Sequence, residues 1–175
     1  MLEKRRRTMA IDDKGYKVFW GLLGASSVHV IEEYVYPGGF LDSAREIAPE
    51  AFEYASIPIV VGVNTSMIAG CLFAALMRKR TPFFGLSMAS LLFVNSILHT
   101  GASIRTKKYQ PGLVTGLCLY IPLSLYAFNE YQKSPEYNKS TARLAKLSGL
   151  ALHTIPFVSF AIRKALTENS QAAAD

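Results

Sequence analysis

Charged residues are scarce in this sequence: they make up 18% of its 175 residues, while 50% are hydrophobic. A soluble domain of this length carries roughly a quarter charged residues, and a disordered chain has far fewer apolar ones, so the composition argues against both. Cysteine is equally sparse. Cys71 and Cys118 are the only two, and both fall inside apolar runs, which removes a disulfide framework and a cysteine metal centre from consideration. The sequence has no internal repeat, and its one low-complexity stretch is the alanine-rich end at 171–174. Acidic residues are outnumbered, giving a net charge of +6 and a pI near 9.4. The basic residues flank apolar runs instead of forming a polar face, so they fix orientation in a membrane and do not indicate a nucleic-acid partner.

What the sequence has is long apolar runs, with a mean hydropathy of +0.20. About 20 residues of helix cross the ~30 Å of bilayer hydrocarbon, and five segments qualify: 18–36, 54–77, 82–104, 111–129 and 144–162. The second and third contain no Asp, Glu, Lys or Arg. The expected fold is therefore all-α, an integral membrane bundle of about five transmembrane helices over 18–163. A basic cytoplasmic arm (1–17) precedes it and a disordered tail (164–175) follows. A cleaved signal peptide is disfavoured, because Glu32 and Glu33 interrupt its apolar region. Pro111 suits a first helical turn, whereas Pro58, Pro122 and Pro156 fall within runs and predict kinks. Gly112 and Gly116 read as close helix packing. Segment 37–53 reads as a solvated acidic connector, with an interfacial helix as the alternative, and Tyr34, Tyr36, Tyr54 and Tyr109 as interfacial anchors. With the N-terminus inside, thirteen basic residues lie on the inner side and six on the outer. That balance predicts a cytoplasmic N-terminus and a C-terminus on the opposite side.

Ionisable groups at membrane depth are costly and normally face a bundle interior or a wet cavity. Here they are His29, Glu32, Glu33, His99 and His153, with Asn95 and the weaker Asn64 beside them. At ~100° per residue, His29, Glu32 and Glu33 share one helix face, as do Asn95 and His99. With the predicted topology, both faces reach the same level, roughly 7–9 Å outward of the membrane midplane. His153 lies near the middle of the fifth run and would close the base of the same cavity.

Several chemistries fit these residues. His29, Glu32, His99 and His153 are candidate ligands for a mononuclear divalent metal such as zinc, with the remaining glutamate as general base and Asn95 orienting a ligand or polarising a substrate oxygen. Two carboxylates are too few for a ferritin-like di-iron centre. Without a metal, Glu32 and Glu33 form an acid–base pair with a histidine relay, suited to hydrolysis, epoxide opening, isomerisation or cyclisation of a lipophilic small molecule. A proton or metal transport relay and simple hydrogen-bonded helix packing are the readings from other classes. Between the glutamates, Glu33 is expected to be the base or proton donor and Glu32 the deeper ligand or histidine-orienting group.

Three short patterns occur in order: His29-Val30-Ile31-Glu32-Glu33 as H-x-x-E-E, Asn95-Ser96-Ile97-Leu98-His99 as N-x-x-x-H, and Pro111-Gly112-Leu113-Val114-Thr115 as P-G-x-x-T. With His153, they make the chain resemble the small integral membrane proteins of the HXXEE domain family over about residues 18–160. The resemblance implies a multi-helix membrane protein and marks His29, Glu32, Glu33, Asn95, His99 and His153. It implies neither a reaction nor a substrate.

Overall fold

A computed structural model describes residues 17–35, 39–78 and 81–172, and all regular structure among them is helical. In chain order these are α1 (Val18–Val35), α2 (Gly39–Ile47), α3 (Pro49–Phe52), α4 (Ile57–Met77), α5 (Pro82–Thr106), α6 (Leu113–Lys133) and α7 (Lys139–Ala172). All but Lys17 of the expected basic arm lies outside the described residues. Each of the five apolar runs corresponds to a long helix. Four helices, α4 to α7, are long and apolar enough to cross a membrane. By this measure α1 falls short of the expected fifth, because His29, Glu32 and Glu33 sit within its 18 residues.

The prolines act differently from the expected kinks. Pro58 opens α4 in its first turn, where its missing N–H is not needed. Pro122 follows a π-helical turn, Gly116–Tyr120, in which the Ile121 N–H reaches back to Gly116 O. The widened turn absorbs the break that a proline would otherwise make. Of the three, only Pro156 stands well inside an α-helix. Nor does α7 end near residue 162: it continues to Ala172. Residues 163–172 contain neither proline nor glycine and include several good helix formers, so the expected disordered tail is helical this far. The connector after α1 is helical as well. Its two short helices place Phe40 and Phe52 inward, with the ring centroids 6.0 Å apart.

Helix α5 is central, packed against α1, α4, α6 and α7. Small residues allow the close approaches. A Cβ on Gly85 would lie 2.4 Å from the Phe19 ring, and one on Gly149 would lie 2.4 Å from Ser90 Cβ. Ser90 Oγ then donates to the Lys146 carbonyl across the α5–α7 crossing at 2.9 Å. α1 lies lengthwise in the bundle. Near its start Phe19 meets Gly85 and Trp20 meets the Arg78 guanidinium, and near its end Glu33 meets Asn64.

The outer surface is apolar. Leu72, Phe73 and Leu76 of α4, Ile97, Leu98 and Ile104 of α5, and Leu144, Leu147 and Leu150 of α7 are all exposed. His29, Glu33, His99 and the serines Ser26, Ser87 and Ser96 are buried instead. This distribution suits hydrocarbon surroundings, and the chain is built as a membrane protein.

Candidate functional site

On α1, His29 and Glu33 are separated by one helical turn and face the same neighbours. On α5, His99 faces them from the opposite wall. His29 Nε2 and His99 Nε2 each lie 3.4 Å from Glu33 Oε1. One donor atom from each of the three residues falls within 4.8 Å of the other two, and all three residues are buried. The other carboxylate oxygen, Glu33 Oε2, accepts a hydrogen bond from Asn64 Nδ2 of α4 at 2.9 Å. Glu33 is thus held from one side, leaving Oε1 to the two imidazoles. His29 Nε2, though close, makes no hydrogen bond.

Glu32 points elsewhere. Its carboxylate accepts from the Thr115 hydroxyl at 2.5 Å, from the Thr115 N–H at 2.8 Å and from the Val114 N–H at 3.1 Å. It also accepts from the Tyr109 hydroxyl. These donors lie at and just before the start of α6, where unpaired amides favour an anion. Thr115 Oγ1 is also 2.7 Å from His29 Nδ1. A hydroxyl has one proton to give. With that proton directed to Glu32, Thr115 accepts from His29 Nδ1, and in the neutral imidazole this turns the Nε2 lone pair toward Glu33 and His99. Glu32 therefore orients His29 through Thr115 and does not join the converging donors. Its carboxylate lies against the start of α6, apart from the three converging donor atoms.

Two residues shape the space around His29. Tyr120, from the π-helical turn, stacks on it with centroids 4.4 Å apart. Gly112 lies on the other side at φ +88°. A Cβ there would come within 2.6 Å of His29 Cε1 and 3.0 Å of His99 Cε1. Gly112 thus serves the site and precedes the helix, where helix packing was expected. Gly116 does pack closely, its position for a Cβ lying 3.4 Å from Ser96 Cα. The loop carrying Gly112 is tied down by Gln110, which meets Ser43 of α2 and donates to Thr106 at 3.0 Å.

A cavity of about 610 Å³ extends from Glu33. α4 and α7 form its walls, α5 its floor, and Phe40 and Phe52 cover one end. α4 and α7 scarcely touch each other. Most of the lining is apolar, with Asn64, Asn95 and His153 among the polar exceptions. Asn95 Oδ1 is buried and makes no hydrogen bond. His153 lines the same cavity, 6.3 Å from Phe157 in a stacked arrangement, but it is not one of the converging donors. Its place on α7 puts it on a wall, whereas α1 and α5 supply the cluster.

The expected residues therefore divide. His29, Glu33 and His99 meet; Asn95 and His153 line the adjoining cavity; Glu32 supports His29 from behind. Sequence reasoning missed Thr115 as the link between Glu32 and His29, although the P-G-x-x-T pattern contained it. It also took Tyr109 for an interfacial anchor and did not single out Tyr120.

No curated protein and no solved structure matches the chain. The match to a family covers residues 20–127, from α1 into α6, so the likeness expected to reach His153 stops before α7. The matching family is described as proteins of unknown function with an HXXEE motif, and the chain belongs to it.

Proposed function

We propose that the protein is an integral membrane enzyme of five spans that performs water or proton chemistry on a lipophilic small molecule: hydrolysis, epoxide opening, isomerisation or cyclisation. The observation that carries this reading is the position of Glu33, between two imidazoles and at the head of a largely apolar cavity. Carboxylate and imidazole together hold and move protons, and the cavity volume lies within the usual range for small-molecule sites. Asn95 Oδ1 offers an acceptor to a ligand hydroxyl or amide. So does the Leu152 carbonyl, to which Pro156 has no N–H to give.

The fifth span is α1. Its ~26 Å length runs from the level of Arg78 and Gly85 to that of Asn64 and His99. Its ionisable groups face neighbouring helices, which is the condition under which a polar helix can cross. A helix-packing pair would consume its own hydrogen-bonding capacity, whereas His29 Nε2 and Asn95 Oδ1 are left over.

The test is untargeted. Detergent-solubilised protein is incubated with the lipid-soluble extract of the expressing cells, and products are followed by chromatography and mass spectrometry. A species displaced by one water, or an isomer of unchanged mass, should form with the wild type and fall at least ~100-fold with Glu33→Gln, the lower end of a general acid–base contribution. Equal product from a Glu33→Gln variant of unchanged melting temperature would remove the enzyme reading.

A further inference from the structure

We infer that His29 Nε2, His99 Nε2 and Glu33 Oε1 bind one divalent first-row transition-metal ion, with zinc the expected occupant. The inference rests on the same convergence of side chains as the proposed activity. The first observation is the fully buried Nε2 of His29, which makes no hydrogen bond. The Glu32–Thr115–His29 chain puts a hydrogen on Nδ1, so in the neutral imidazole Nε2 directs a lone pair at a carboxylate oxygen 3.4 Å away. Two lone pairs facing each other repel, and a cation between them relieves both. A proton bridges one pair of atoms only, whereas three donor atoms converge here.

The spacing agrees with a metal. Bonds of ~2.0–2.1 Å at tetrahedral angles set zinc ligands about 3.3–3.4 Å apart; the two edges to Glu33 Oε1 are 3.4 Å, and the three donor atoms all lie within 4.8 Å of one another. Two histidines and one carboxylate are an established donor set for zinc that keeps a position open. Of the three residues, Glu33 also lines the cavity. The surroundings are those of a held ligand. A hydrogen bond from the far nitrogen to a hydroxyl backed by a carboxylate fixes tautomer and ring direction, and Asn64 fixes Glu33 in the same way. Gly112 leaves clear the space beside both imidazoles that a side chain would fill. A bound ion would make water acidic enough to act as a nucleophile near neutral pH.

The experiment uses full-length, tag-free protein in detergent. Elemental analysis should find about one transition-metal ion per chain. After chelator stripping, titration with Co²⁺ alone should produce visible d–d absorption that saturates at one equivalent and is competed by Zn²⁺. Thr115→Val keeps the side-chain shape and removes the relay, so its Co²⁺ affinity should fall ~10–100-fold. His99→Gln should abolish the band, and a preserved melting temperature in stripped protein guards against simple misfolding. Metal below about a tenth of an equivalent together with no Co²⁺ band in stripped wild type would overturn the inference, as would wild-type affinity in Thr115→Val. The two proposals fail separately. Stripped protein that retains the Glu33-dependent turnover overturns the metal and leaves the enzyme; a one-to-one metal site without turnover does the reverse.

Discussion

Gly112 occupies a position that a larger residue meets twice over. Its φ of +88° is strained for any side chain, and a Cβ would collide with the His29 ring. We expect Gly112→Ala to cost about 1–3 kcal/mol through the backbone alone and to push His29 from its place opposite Glu33. Thermal unfolding in detergent, read beside turnover, checks both effects. An unchanged melting temperature would contradict the described backbone. The same scale shows what the sequence could and could not reveal. Helical spacing brought His29, Glu32 and Glu33 to one face, and Asn95 and His99 to another. It could not choose between the glutamates, because the choice depends on Asn64 and Thr115, which come from other helices. A period within one helix contains no information about which neighbour stands behind it.

At the scale of the helices, the crossing of α5 and α7 is set by Gly149. Its missing side chain admits Ser90 Cβ and the Leu91 amide, with positions 2.4 and 2.6 Å from where a Cβ would stand. Because one of these atoms is backbone, a side chain can be accommodated only if the helices part. Gly149→Val should therefore cost about 1–3 kcal/mol by overpacking, seen as a lower melting temperature. Ligand binding should weaken as well, since α5 and α7 form the floor and one wall of the cavity. The long helices were visible in the sequence as apolar runs, and the start of α5 at Pro82 was visible with them, whereas Pro58 read as a kink within its run and instead opens α4. The extension of α7 beyond residue 162 was not, because polar residues with high helical propensity look like a tail once hydropathy is the guide. The π-helical turn left no trace except Pro122, whose missing N–H fits a widened turn as well as a kink.

For the whole molecule, the deciding question is whether α1 crosses. Five spans with the N-terminus inside put an N-terminal epitope and Gln132 on the cytoplasmic side and Asp42 on the other. In a Cys118→Ser background, an impermeant maleimide should label Asp42→Cys in intact cells and Gln132→Cys only after permeabilisation, with the epitope protected. Both substituted residues are exposed. An epitope on the same side as Asp42 would reduce the spans to four and make α1 a helix that enters without crossing.

Between α4 and α7, which scarcely touch, the cavity would open toward lipid in the proposed membrane bundle. A molecule reaching Glu33 by that route arrives from a two-dimensional solvent, so the quantity that governs occupancy is its mole fraction among lipids and not its molarity in water. Dilution of the membrane with inert lipid then acts as a competitor that binds nothing. For the proposed enzyme, partition of the substrate into the bilayer becomes part of its specificity, imposed before any residue of the protein is touched.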